Sequence, residues 1–386
     1  MVWPVKITDQ KTFIPVETAE PQPVPDKRSR CKAYALALAV TVVLIFVIFY
    51  DTPATEELQT YDGNYFQPEL DKSAMPYVDR FIAYMEKYGK EYESNSVAME
   101  RFKEYQRELQ LIDQLNKDRK SGAVFGESDL SDWTEEEFAK MLLPKSFYKK
   151  LREEATFIQS NPPEMERGAK IPDFYDWRAR NVVTPVKAQG KCGSCWAFAA
   201  TATVEAAYAI AHGERRNLSE QTLLDCDFND NACDGGDEDK AFRYIHRNGL
   251  AYAVDLPYVA HRQNSCSVEG KNVTRIQTAY FLHPDEDSMI DWLVNFGPVN
   301  IGIAVTQDMR PYKGGVFHPS EYDCKNKVIG LHALMVTGFG TNKMGQKYWI
   351  VKNSWGQDWG VEGGYIYFIR GVNACGIEDE PIGILA

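Results

Sequence analysis

The chain has 386 residues, 44% of them hydrophobic and 25% charged, with a formal net charge of −12. That length predicts two or three units with room for sizeable cores. The acidic balance argues against nucleic-acid binding and fits an acidic compartment or simple solubility. Residues 1–26 are proline-rich without apolar periodicity, which predicts a disordered tail. Lys27-Arg28-Ser29-Arg30-Cys31-Lys32 is a basic cluster directly before residues 33–50, which carry no charge. Such a run is near the lower limit for a membrane span and longer than the usual core of a cleaved signal peptide. Asp51, Glu56 and Glu57 follow on the far side, so the positive-inside rule predicts a type II single-pass topology. Residues 1–32 are then a cytosolic tail, 33–50 a transmembrane signal anchor, and everything beyond 51 lumenal. A cleaved signal sequence is the competing reading, but no clean small-x-small site follows Tyr50. Cys31, on the basic side, is a candidate for acylation. Residues 51–72 have no pattern and are expected to be a stalk.

From Pro76 the pattern turns helical, with Tyr77, Phe81, Tyr84, Met85 and Tyr88 on one stripe and Gly89 at the end. A second helix is expected from about Val97 to Asn116, carrying Phe102, Tyr105, Leu109, Ile112 and Leu115. Thr134, followed three residues later by Glu137, predicts a capping box that opens a short helix. Residues 144–170 hold Pro162-Pro163 and Gly168 and are expected to be an extended, cuttable linker. Beyond Ile171 glycine becomes frequent. The alanine-rich run from Trp196 to Ala211, with Glu205 its only charge, predicts a helix buried nearly all round. Further helices are expected to open at Ser219-Glu220-Gln221 and to cover 241–248, closed by Gly249. From about Val299 the apolar segments 301–305, 333–339, 348–352 and 365–369 look like strands. Helices first and strands later predict an α+β fold of two lobes, one mainly helical and one a β-barrel-like sheet.

Cysteines 192, 195, 226, 233, 266, 324 and 375 all lie beyond the apolar run, in what reads as an oxidising compartment. Seven is odd, so at least one thiol stays unpaired. Cys195 is the best candidate, because Gly193-Ser194 places it in the first turn of the alanine-rich helix. There the helix dipole and unpaired N–H groups favour a thiolate. A buried or disulfide-bonded cysteine is the bland alternative for such a residue. Cys192-Gly193-Ser194-Cys195 could also be a redox pair or half a zinc site, but no second CxxC exists. His332 lies 137 residues after Cys195 and Asn353 lies 158 after it, close to the separation expected of a thiol protease signature.

Gln189-Gly190-Lys191-Cys192-Gly193-Ser194-Cys195-Trp196, His332-Ala333 and Asn353-Ser354-Trp355-Gly356 together resemble the papain-like cysteine proteases over about 75–386, with most likeness to the cathepsin L group. The resemblance implies the papain-like two-lobe fold, residues 171–386 as a peptidase domain, and a cysteine-type endopeptidase without cofactor or metal. Cys195 would be the nucleophile, passing through a thioester acyl-enzyme, with His332 as acid and base. Asn353 would orient the imidazole and Trp355 shield that bond. Gln189 would join the Cys195 N–H at the oxyanion. Three disulfides are implied: Cys192–Cys233, Cys226–Cys266 and Cys324–Cys375.

Residues 73–143 resemble the group's inhibitory propeptide, keeping Arg101, Tyr105, Ile112 and Asn116 but with Val97 and Glu108 in place of Glu and Asn. Gly126 and Asp132 survive in the next motif, where Ser128 and Leu130 are departures. A self-inhibited zymogen is implied, with 144–170 as its linker and a mature N-terminus near Ile171. Protonation of Asp132 and Glu135–Glu137 is expected to loosen the prosegment. Gly235 and Gly236 match the glycines that pair with substrate as an added strand. Asp237, Glu238, Gly302, Gly330, Ala333 and Glu380 match the walls of the pocket for the residue two places before the cut. Glu380 at its floor predicts acceptance of Arg or Lys beside bulky apolar residues. Leu331, where Asp or Asn is common, predicts a shifted pH profile, and the lack of a paired-histidine insertion points to endopeptidase action. Asn217 and Asn272 begin glycosylation sequons. Polypeptide substrates, the chain's own propeptide and the membrane are the expected partners of a monomer in an endolysosomal or vacuolar compartment, or secreted after processing. A catalytically silent papain-fold binding or inhibitory protein is the alternative, disfavoured because Gln189, Cys195, His332 and Asn353 are all present.

Overall fold

The computed structural model describes residues 75–117, 122–145, 151–163 and 171–386. The expected tail, anchor and stalk, Cys31, and the linker residues 146–150 and 164–170 lie outside the described residues. No helix among the described residues is long and apolar enough to cross a membrane.

Two compact units divide the chain after Glu91. In the first, helix α1 (Met75–Tyr88) stacks Phe81 on Tyr84 with centroids 6.0 Å apart, and Tyr88 meets Tyr84 at a tilt at 5.0 Å. The rest belongs to the second unit. Helix α2 (Asn95–Lys117) buries Phe102, Tyr105, Leu109 and Ile112 along one stripe, as its spacing predicts. Strand β1 (Val124–Phe125) and helix α3 (Glu135–Lys140) follow, and α3 opens with the capping box of Thr134 and Glu137. Residues expected to be plain linker instead form a one-turn helix α4 (Leu151–Glu154), and Gln159 then bridges to a strand of the peptidase region. Buried Leu151 and Ile158 hold that stretch, and two apolar residues so far apart in a polar run give no periodic signal.

Strand β2 (Tyr175–Asp176) precedes helix α5 (Cys195–His212), which ends where Gly213 takes a left-handed φ of 70°. Helices α6 (Gln221–Cys226) and α7 (Glu238–Asn248), with the small pair β3 (Leu250–Ala251) and β4 (Val273–Thr274), complete the helical lobe. Helix α7 starts three residues earlier than its apolar pattern suggests, because the Asp237 side chain accepts the Lys240 N–H as N-cap.

The other lobe contains β5 (Thr278–Phe281), α8 (Glu286–Asn295), β6 (Val299–Thr306), β7 (Tyr312–Gly314), β8 (Val316–Phe317), α9 (Glu321–Asn326), β9 (Val328–Thr341), β10 (Lys347–Lys352), β11 (Tyr365–Ile369) and β12 (Ile382–Leu385). Its main sheet has the order β5-β12-β6-β9-β10-β11-β8, with β2 added on β9. The sheet begins before Val299, where strand pattern was first expected. Strand β5 is too short to show alternation and is held by pairing with the C-terminal β12. Strand β7 pairs with β1, so the prosegment adds a strand to this lobe.

Candidate active site

Helix α5 starts at Cys195, with Ser194 as N-cap. Cys195 is fully buried and is the free cysteine among the described residues. Cys192 is bonded to Cys233, Cys226 to Cys266 and Cys324 to Cys375. The first bond pins the loop that delivers Cys195 against the turn before Gly235.

His332 stands in the middle of β9, opposite Ile303 of β6, rather than at a strand start; the β-branched Val328 and Ile329 carry the strand back. Its Nε2 lies 2.7 Å from Asn353 Oδ1, just past the end of β10, and that oxygen also accepts the Ser354 N–H at 2.7 Å. The indole of Trp355 covers the imidazole at 4.9 Å between centroids. His332 Nδ1 has no hydrogen-bond partner among the described residues. The backbone amide of the next residue, Ala333, stabilises the Cys195 sulfur as a thiolate, as do the amides of Trp196 and Cys195 itself. The start of α5 and the segment of β9 that carries His332, from opposite lobes, therefore meet at the sulfur.

Burial dominates both groups. It pushes the Cys195 thiol up to about 12 against those amides, with Glu238 adding to the rise. It pulls His332 down to about 4 despite the Asn353 bond. Both groups are thus neutral while the cleft is covered.

Gln189 donates from Nε2 to the carbonyls of Met141 (2.8 Å) and Cys192 (2.9 Å). Ser354 Oγ donates to Gln189 Oε1 at 2.6 Å, which fixes the amide with its NH2 toward the cleft. Sequence reasoning missed Ser354, although it sits inside the Asn-Ser-Trp-Gly motif. The loop before Gln189 is anchored by Lys187, whose Nζ reaches Glu205 of α5 (2.8 Å) and Glu220 (2.7 Å).

Residues 138–143 cover this site. Phe138 packs its ring edge against Trp355 at 5.2 Å, Met141 gives its carbonyl to Gln189, and Leu143 exchanges two backbone bonds with Leu331 (2.7 and 2.8 Å). Gly330 is required there, since a Cβ would meet Leu142 Cβ at 2.7 Å. Gly302 faces Ala333 across β6 and β9. Gly236 lies on the Trp196 indole, where a Cβ would come within 2.4 Å of the ring, and Gly235 carries a positive φ of 119°. Asp237 is engaged as helix cap and by Lys240 at 2.6 Å, and Glu238 is buried rather than part of a solvated acidic rim. Glu380 meets Arg152 of α4 at 3.4 Å; that guanidinium also lies 4.5 Å over the Phe281 ring and donates to the Leu282 carbonyl. Burial raises the Glu380 carboxyl, against the pull of Arg152. No group of three or more His, Cys, Asp or Glu among the described residues could hold a metal ion.

Two ion-paired contacts hold the prosegment further out. Glu137 takes hydrogen bonds from Arg101 and from Lys191 of the peptidase region (2.5 Å). Glu108, fully buried, faces Arg310 after β6, with Nε 3.2 Å from both carboxylate oxygens. Glu108 is one of the departures from the propeptide pattern, and its partner lies 202 residues away, beyond the reach of local sequence reading.

Residues 171–385 match the family described as papain family cysteine protease, and residues 81–138 match the cathepsin propeptide inhibitor domain. The chain is 35% identical to cathepsin F of Drosophila melanogaster over 308 residues, 78% of this chain, and spans about half (49%) of that relative's length. It is 33% identical to cysteine proteinase 1 of Dictyostelium discoideum, over 78% of this chain and 90% of the relative. The solved structure of digestive procathepsin L 3 from Tenebrio molitor larval midgut superposes with a TM-score of 0.70 at 30% identity, covering 80% of this chain and 99% of that one. The chain therefore belongs to the papain family of cysteine proteases, and it is a zymogen carrying its own inhibitor domain.

Proposed function

We propose that Cys195 is the nucleophile of a thiol endopeptidase and His332 its acid and base. The supporting observation is the imidazole: one nitrogen is fixed on Asn353 Oδ1 at 2.7 Å, the other has no partner among the described residues, and the amide of the next residue, Ala333, lies at the free thiol. Once the cleft opens, Cys195 gives its proton to His332 and the sulfur attacks the scissile carbonyl carbon. The developing oxyanion takes hydrogen bonds from Gln189 Nε2, which Met141 O occupies in the zymogen, and from the Cys195 N–H. Collapse breaks the C–N bond, His332 protonates the leaving amine, and a thioester remains. Water, deprotonated by His332, then hydrolyses that thioester and restores the thiol. Labelling with an epoxide peptide after acid activation tests this. Wild type should label and Cys195→Ser should not; an activated wild type that stays unlabelled rejects the reading.

Glu380 is proposed as the selector for a basic residue two places before the cut. What supports this is the guanidinium of Arg152 already held against it. Glu380→Ala should cut kcat/KM on Arg-containing substrates about tenfold and leave Leu-containing ones unchanged; equal losses on both would reject the assignment. Residues 33–50 are proposed as a type II anchor that keeps the zymogen in an acidic lumen until a cut near Ile171 frees the peptidase region. Asn217 and Asn272 are both exposed, which suits their use as glycosylation sites there. Immunoblotting labelled samples for the N-terminal region distinguishes release from action while tethered.

A further inference from the structure

Residues 138–143 cover Trp355, Gln189 and Leu331, and a second stretch of the prosegment is seated just as firmly elsewhere. Asp239, on the first turn of α7 and buried, accepts the backbone N–H of Phe157 (2.7 Å) and Ile158 (2.8 Å) on one oxygen. Its other oxygen accepts the Thr156 N–H (3.0 Å) and hydroxyl (3.1 Å). Every hydrogen bond found at this carboxylate comes from that segment. Gln159 then lies alongside β5, the edge strand of the main sheet, giving its N–H to Ala279 O (2.9 Å) and taking the Phe281 N–H (2.8 Å). Arg243 reaches the Thr156 hydroxyl, Phe157 packs on the His246 ring at 5.1 Å, and Ile158 is buried in the core. None of these hydrogen bonds touches Gln189, Cys195, His332 or Asn353.

All the receiving groups belong to the region after Ile171, so they stay with the peptidase domain when the prosegment is cut away. A carboxylate aimed at the consecutive backbone amides of a bend (156–158), beside a sheet edge that the prosegment leaves open once it is cut away, is a ready receiver for a polypeptide that turns there and then runs along the edge. We propose that Asp239, Arg243, His246 and the outer edge of β5 form a substrate-docking exosite. It takes a stretch of a polypeptide substrate that bends over Asp239 and then joins the β5 edge, with a hydroxyl residue, an aromatic, an aliphatic and a polar residue in succession, as in Thr156-Phe157-Ile158-Gln159. The inference rests on the protease reading only for the cut that vacates the groove.

The test uses enzyme processed from the full chain and blocked at its thiol with iodoacetamide, which is too small to reach the groove. A fluorescent peptide of residues 155–163 should bind saturably, measured by anisotropy. Asp239→Asn in the enzyme, or Ile158→Asn in the peptide, should weaken it about tenfold or more. The Asp239→Asn enzyme should still cut short dipeptide substrates at the wild-type kcat/KM. It should lose the lower KM that wild type shows for a long substrate carrying the 155–160 sequence. Native mass spectrometry identifies a groove still filled by its own cut segment; a segment that the long substrate does not displace overturns the substrate role. A groove neither filled nor fillable, or binding indifferent to Asp239→Asn, overturns it. If the chain does not process itself, hydrogen exchange on the uncut Cys195→Ser protein decides. Asp239→Asn should speed exchange at the Thr156, Phe157 and Ile158 amides, and unchanged rates there reject the site. Failure of epoxide labelling would defeat the protease reading and leave this result standing.

Discussion

The prosegment carries two carboxylate–guanidinium pairs of the same chemistry and opposite character, one within itself and one across to the peptidase region. Glu137 and its partner Arg101 are each about a fifth exposed, and Lys191 shares the carboxylate. Glu108 and Arg310 are sealed from water, with side-chain exposures of 0% and 6%. Burial would raise Glu137, but hydrogen bonds from Arg101, Lys191 and the Thr134 amide outweigh it and hold the group at about 2. At Glu108 burial wins, and the carboxyl rises despite Arg310. The difference teaches that an ion pair's place in the interface, more than its partners, sets what acid does to it.

The largest expected effect comes from breaking the buried pair. Glu108→Ala leaves Arg310 inside the interface with the Trp133 carbonyl and the Phe138 ring but no counter-charge, and should cost about 3–5 kcal/mol of zymogen stability. Urea unfolding of the Cys195→Ser chain measures this. A double Glu108→Met, Arg310→Met variant should recover most of the loss, since two apolar side chains of similar length fill the space without a stranded charge. If the double variant is as unstable as the single one, the cost lies in shape rather than charge. Because the Glu108 carboxyl is raised in the docked state, falling pH protonates it there first and favours docking. Glu108 is a clasp rather than an acid trigger.

The acid response is instead expected from His332. Its pKa is lowered by burial to about 4, so the covered state resists the proton that an uncovered imidazole takes near pH 6.5. The covered state's advantage is therefore complete above about pH 6.5 and is lost as pH falls toward 4. Its size is bounded at about 3 kcal/mol, the limit in which uncovering frees the imidazole completely. Prosegment opening in the Cys195→Ser chain, followed by susceptibility to an added protease, should rise across that window. The rise should flatten in a Cys195→Ser, His332→Phe double variant, which keeps an aromatic ring under Trp355. A profile unchanged by that substitution would place the trigger elsewhere.

Much of the site was legible because its members sit in short motifs with local consequences. Cys195 opens an alanine-rich helix, Asn353 ends an apolar strand, and Gln189 precedes the thiol by a fixed turn. The α+β class also followed from helical periodicity giving way to β-branched runs. What stayed hidden depends on contacts between distant segments. Asp239 stands in the charged run Asp237-Glu238-Asp239-Lys240, where nothing distinguishes a helix cap, a buried wall residue and an amide receiver. The docked stretch 155–159 has one buried residue and is held largely through backbone groups, which leave no mark in composition. Glu108 looked like degeneration of a motif because the residue that compensates it is 202 positions away.

Glu137 offers the smallest and sharpest contrast with Glu108. Since its pKa is depressed, its contribution is fully present above the unfolded value near 4.5 and fades only as pH drops toward 2. In a mildly acidic lumen it is still charged and still holds Arg101 and Lys191. The expectation that its protonation frees the prosegment therefore fails for this residue. Glu137→Gln keeps the capping geometry of Thr134 but removes the charge, and at this exposure water screens the pair, so about 1 kcal/mol should be lost. Processing at pH 5 to 6 should then run about fivefold faster than in wild type, with the difference narrowing as pH approaches 2–3 and wild-type Glu137 also becomes neutral. Rates that converge at pH 5 instead would mean that Glu137 protonates far more readily than its hydrogen bonds from Arg101, Lys191 and the Thr134 amide allow. The contact would then be an acid release after all.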